Sequence, residues 1–128
     1  MLKTKPKIVG LSLHQPWANM IASREKTIET RMWYTAYRGP LLICSTKKPA
    51  IDPSGCAIAL VDLIEVRLMR LTDEFAACCG WENGRYAWIL ENIRPCNNIP
   101  VRGRQKLFTV DDLEIEELFE TEKGDRHG

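Results

Sequence analysis

The sequence predicts an α+β domain built on one mostly antiparallel, curled sheet. Three observations carry this. Short segments rich in β-branched, aromatic and aliphatic residues recur along the chain, about six in all, each bounded by turn residues. The helical patterns between them are short and do not follow the βαβ rhythm of a doubly wound sheet. The length, 128 residues, suits one domain, and a hydrophobic share of 45% is enough for a core, which excludes wholesale disorder.

Taken in order, Ile8 to Leu13 reads as the first strand. Pro16 then stands where a helix can begin, and Trp17, Met20 and Ile21 follow at i, i+3, i+4 spacing to about Ser23. Residues from about Lys26 to Trp33 read as a second strand, and Arg38-Gly39-Pro40 as a turn. Leu41 to Cys44 is a short, continuously apolar, buried strand, and the segment from Lys47 to Gly55 is a loop with room for a helical turn. The longest strand spans residues 56–69, with Ile64, Val66 and Leu68 alternating against Glu65 and Arg67. Thr72, Asp73 and Glu74 resemble a helix start, with Thr72 as the capping hydroxyl and Gly80 as the stop. Tyr86, Trp88 and Leu90 mark another strand, Leu107 to Val110 the last, and Leu113, Ile115, Leu118 and Phe119 a terminal helix. The expected organisation is a basic N-terminal extension (1–7), a domain (8–120) and a flexible tail (121–128).

No apolar run approaches the roughly 18 residues of a membrane span, and the basic start lacks the apolar stretch of a secretion signal. The five cysteines are odd in number and form no Cys-x-x-Cys pair. Reduced thiols in a cytoplasmic protein, with no metal site and no cofactor, is the expectation. Net charge is +1, but residues 1–50 carry +7 and residues 111–128 carry −6. A basic body with an acidic end suits a polyanion partner, and nucleic acid is the usual one. The acidic end, anchored by Leu118 and Phe119, is then expected to screen the basic face.

The segment Lys26-Thr27-Ile28-Glu29-Thr30-Arg31 stands out. Strand alternation puts Thr27, Glu29 and Arg31 on one face, with Trp17, Trp33 and Tyr34 nearby. Charged groups beside rings form a cluster that can recognise a planar polar ligand or move a proton.

Several blocks in the right order resemble the ASCH domain (activating signal cointegrator homology), a member of the PUA-like barrels. Leu13-His14-Gln15-Pro16-Trp17-Ala18 resembles the family's opening strand-to-helix element, and Ser23 to Arg31 resembles its G-x-K-x-x-E-x-R motif, whose Lys, Glu and Arg fall on Lys26, Glu29 and Arg31. Arg38 to Ile43, Gly84 to Trp88 and Pro100 to Gln105 resemble later strands, so the likeness covers roughly residues 8–110. The resemblance implies a PUA-like β-barrel of five to six mostly antiparallel strands with short flanking helices. It implies a cleft lined by Lys26, Glu29 and Arg31, and an RNA- or nucleic-acid-binding module that recognises a nucleotide or modified base. The competing class it implies is a hydrolase acting on RNA or on a modified nucleoside such as N4-acetylcytidine. In acetylcytidine hydrolases the position three after the Lys is a catalytic Thr, whereas here it is Glu29.

The residues able to carry such chemistry are few. Lys26 can hold a phosphate or act as a base, Glu29 can accept from a base amino group or act as a general base, and Thr27 stands beside them. Arg31 can fork onto a phosphate or base edge, with pairing to Glu29 as the structural alternative. Trp33 is the best stacking candidate, and Trp17 fits core packing better. Lys47, Lys48, Arg102, Arg104 and Lys106 could form a phosphate track, and Arg85 belongs to the same binding set. His14 has no second ligand at metal-binding spacing.

Overall fold

The computed structural model describes residues 7–121. The expected basic extension, apart from Lys7, and the expected tail, apart from Thr121, lie outside the described residues. Six strands form one sheet: β1 (Ile8–Leu13), β2 (Ile28–Arg31), β3 (Gly39–Ser45), β4 (Ala57–Leu68), β5 (Tyr86–Pro95) and β6 (Leu107–Val110). Their order is β2-β5-β4-β3-β1-β6. β1 and β3 pair in parallel, and every other neighbouring pair is antiparallel.

The two edge strands, β2 and β6, do not pair, so the ladder is not a closed barrel. The sheet nevertheless curls far enough for side chains to bridge the gap. Arg31, on edge strand β2, donates from NH2 to the carbonyl of Ser12 on β1 at 2.9 Å, although β5, β4 and β3 lie between those strands in the ladder. Shifts of register between Leu60 and Asp62, and between Leu63 and Glu65, lie where β4 meets β5. Bulges of this kind sharpen the local twist of a sheet.

Inside the curl, Leu11, Leu13, Leu41, Ile43, Leu63 and Trp88 pack with Ala18 and Ile21 of α1 (Trp17–Ala22), which plugs the concave side. Gln15 starts that helix: its Oε1 accepts from the Asn19 N–H at 3.0 Å, and its Nε2 donates to the Pro53 carbonyl at 2.9 Å. On the outer side Ile8, Leu42, Leu60 and Phe108 pack with Leu118. β3 is thus covered on both faces, with Leu41 and Ile43 inward and Leu42 and Cys44 outward, which is why it reads as an unbroken apolar run.

Several elements differ from expectation. The second strand is shorter at both ends: Lys26 and Thr27 precede it, and Met32 and Trp33 form a bend after it. Gly39, at φ +124°, begins β3 rather than ending a turn, and the 47–55 segment contains no helical turn. The helix predicted from Thr72 is a 3₁₀ turn (Leu71–Asp73) followed by α2 (Glu74–Ala77), and Asp73 rather than Thr72 organises it. Asp73 takes both prongs of Arg67 at 2.7 and 2.9 Å and the Arg70 backbone N–H at 2.8 Å. The Arg67 hydrogen bond holds the Asp73 carboxyl below the usual carboxylate range. Cys78, in the left-handed region at φ 56°, closes α2 in place of Gly80. The terminal helix is a 3₁₀ segment (Ile115–Phe119) anchored by Leu118 alone, since Phe119 is exposed.

Candidate functional site

Two clefts open where the ends of the curled sheet approach each other. They share Ser12, His14 and Arg31, so the Arg31–Ser12 bridge divides one trough into two. The smaller, about 280 Å³, is lined by Trp17, Lys26, Glu29, Thr30, Cys79 and Arg85 beside the shared residues. The larger, about 690 Å³, is lined on its charged side by Lys47, Arg102, Arg104 and Lys106 together with Arg31.

In the smaller cleft the charges neutralise one another. Lys26 is 2% exposed, an extreme degree of burial for a lysine, and Glu29 is 7% exposed. Lys26 Nζ lies 3.5 Å from Glu29 Oε1 and donates to the Ala77 carbonyl at the end of α2. Glu29 Oε2 lies 3.2 Å from Arg31 NH2. The result is a linear cation–carboxylate–cation chain along β2 and the preceding turn. Trp17, 39% exposed, covers it, with Lys26 Nζ 5.4 Å from the ring centroid. Trp17 is therefore a wall of this cleft and not a core residue. Thr30 Oγ1 lies 3.7 Å from Cys79 Sγ, and Arg85 NH1 lies 3.6 Å from the same sulfur. Arg85 also pairs with Glu82.

The larger cleft has five lining cations and no lining carboxylate. Trp33 forms part of its wall, edge-on to buried Trp88 with centroids 4.9 Å apart, and Lys106 Nζ sits 5.8 Å from the Trp33 ring centroid. His14 stands at the divide. Its Nδ1 is 3.0 Å from the Lys48 carbonyl, which only accepts, so Nδ1 carries the hydrogen and Nε2 is the nitrogen left free in the neutral ring. The acidic segment 111–120 lines neither cleft. Its anchor, Leu118, packs on the outer side of the sheet.

The structure thus brings Lys26, Glu29, Arg31, Trp17 and Arg85 to one cleft and Arg31, Trp33, Lys47, Arg102, Arg104 and Lys106 to the other. Two expected residues stand apart. Thr27 lines neither cleft, its backbone being used to join α2 and β5 through Ala76 and Leu90. Lys48 is exposed outside both and contributes its carbonyl to His14. Sequence reasoning missed Ser12, Thr30, Cys79 and Gly103 as cleft residues. Only Gly103 carried a signal, as the glycine between two arginines. Among the described residues no group of three or more His, Cys, Asp or Glu is placed to hold a metal. No helix of the described residues is long and apolar enough to cross a membrane.

A curled, six-stranded α+β domain plugged by a short helix is a fold class with known members. The ASCH domain sequence model fits residues 11–100, and the chain belongs to the ASCH domain family. Activating signal cointegrator 1 of Homo sapiens is 28% identical over 127 residues, covering 79% of this chain and 22% of that protein. The Mus musculus protein of the same name matches to the same extent. The chain therefore spans about a fifth of the length of these curated relatives. The crystal structure of ASCH from Zymomonas mobilis superimposes with a TM-score of 0.62 at 19% identity, covering 87% of this chain and 90% of that one. A mutant form of that protein gives 0.61 at 16% identity, covering 84% and 92%. At these identities the likeness establishes the fold.

Proposed function

We propose that this domain is a nucleic-acid-binding module, with RNA as the favoured partner. The larger cleft takes the phosphate chain and the smaller cleft reads a nucleotide or modified base. The observation that carries this reading is the larger cleft's lining of five cations without a carboxylate. Arg31 is paired with Glu29, and the other four, Lys47, Arg102, Arg104 and Lys106, form a concave positive wall that concentrates a polyanion and pairs with successive phosphates. Trp33 adds a ring on which an unpaired base can stack. The smaller cleft suits a neutral polar group instead, because the buried Glu29 carboxylate repels phosphate while offering lone pairs to an amino group. The unpaired thiols support a reducing compartment such as the cytoplasm.

The test is a salt series with single-stranded RNA and DNA oligonucleotides, read by fluorescence anisotropy. Affinity is expected to fall steeply as salt rises, since each neutralised phosphate releases counterions. A flat salt dependence, or no binding to either strand type, overturns the reading. The hydrolase alternative is supported by the enclosure of Lys26, Glu29 and Arg31 in one small cleft. It predicts product release from RNA or from N4-acetylcytidine, lost in Lys26→Ala by far more than binding is lost. No turnover by the unmodified protein removes it.

A further inference from the structure

Three of the five cations of the larger cleft sit on one strap, residues 101–106. Its first residue is tied by backbone, Val101 N–H to the Gly55 carbonyl at 3.1 Å, and beyond its last residue Leu107 enters β6 opposite Leu11. Between them, Arg102 to Arg104 make no backbone hydrogen bond to the sheet among the described residues. A strap held only at its ends needs packing to set its height. That packing is Gly103 against Ser12. A Cβ placed on Gly103 would lie 2.2 Å from Ser12 Oγ and 3.4 Å from Ser12 Cβ. The first distance is a hard overlap and the second an ordinary contact. Ser12 Oγ is covered at this point and has no hydrogen-bond partner, so its contact with the strap is steric.

We propose that Gly103 is a positioning residue for the basic cleft: its bare Cα lets the strap rest on Ser12 and sets the height at which Arg102, Arg104 and Lys106 meet a phosphate chain. The proposal rests on the nucleic-acid reading above and adds a claim that reading does not need. A side chain at 103 must turn the Ser12 hydroxyl aside or lift the strap from β1; the second outcome moves the three cations without changing a single charge. Removing the Ser12 hydroxyl makes room for it again.

The test is a double-mutant cycle of Gly103→Ala and Ser12→Ala, with single-stranded RNA binding measured across a salt series and thermal melts taken in parallel. Gly103→Ala is expected to weaken binding about three- to tenfold and to make the salt dependence shallower by about one unit of slope, the loss of one or two phosphate contacts. In the Ser12→Ala background the same substitution is expected to lose most of that effect, because the overlapping atom is gone. Should Gly103→Ala alone fail to fold, the double variant, which lacks the overlap, still reports affinity and slope. The proposal is overturned if Gly103→Ala keeps the original affinity and slope, or if its loss is the same in both backgrounds. A protein that binds RNA normally while the cycle shows no coupling defeats this proposal and leaves the nucleic-acid reading standing. No RNA binding by the unmodified protein defeats both.

Discussion

The two clefts share Arg31 and Ser12 but spend their charges in opposite ways. In the smaller, Lys26, Glu29 and Arg31 satisfy one another, and Lys26 reaches on to the α2 carbonyl end. In the larger, Lys47, Arg102, Arg104 and Lys106 face open space with no carboxylate among the lining residues. A buried ion chain returns little net binding energy to a ligand until the ligand replaces one of its partners, whereas unneutralised cations are available at once. The Lys26–Glu29–Arg31 chain therefore ties the edge strand to the fold, and the strap cations are the ones left open to the proposed polyanion.

The largest effect is expected at Lys26. Lys26→Ala leaves a buried carboxylate short of one partner, and stability is expected to fall by about 3–5 kcal/mol. Adding Glu29→Gln should recover part of that loss, because the stranded charge is gone. Denaturant melts of the single and double variants decide it, and a single variant as stable as the parent contradicts the structural role.

The opposite pattern is expected at the strap. Replacing Arg102, Arg104 and Lys106 together by Ala should flatten the salt dependence of single-strand binding by about 2 units of slope, at about 0.7 per phosphate. Stability should move by no more than about 0.5 kcal/mol, since all three are exposed. A large loss of stability with an unchanged slope would reverse the assignment of the two clefts.

A smaller effect is expected outside both clefts, at Asp73. Asp73 is held by Arg67, so its folded pKa lies below the unfolded value of about 3.9. Its contribution is present above that unfolded value and is lost as pH falls through the folded one. Asp73→Asn should therefore lower stability at neutral pH and weaken its dependence on pH below about 4, while RNA affinity at neutral pH stays unchanged. Acid melts of the two forms measure it.

The thiols provide the mildest test. Burial pushes the Cys44 thiol up to about 12 and Cys96 up to about 11. Cys79, by contrast, lines the smaller cleft. Alkylation at pH 8 followed by peptide mapping should label Cys79 before Cys44, and bound ligand should slow Cys79 only. Equal labelling of the two contradicts the placement of Cys79.

Much of this was legible in the sequence, for identifiable reasons. β3 announced itself because it is apolar on both faces, and β5 because Tyr86, Trp88 and Leu90 alternate. The Lys26–Glu29–Arg31 grouping followed from strand period and from the family motif. Thr27 was misplaced because β2 begins at Ile28, two residues later than the β-propensity of the segment implies. Trp17 looked like core because it lies on the helix's apolar stripe, yet that stripe ends at the cleft mouth above Lys26. Thr30 and Cys79 were invisible as cleft residues, since they meet only when α2 packs beside β2. The strap's relation to Ser12 depends on the long-range β1–β6 pairing, with Leu107 opposite Leu11, which local pattern does not encode.

Nucleic acid is predicted to lie along the strap and Trp33, over the open cations and not on the outer side of the sheet. Photocrosslinking with a 4-thiouridine-substituted single-stranded RNA, followed by peptide mapping, tests it directly. Crosslinks should fall on Trp33 and residues 101–106, and should disappear in the variant lacking Arg102, Arg104 and Lys106. Crosslinks confined to the outer side around Leu118, or unchanged in that variant, would contradict the account.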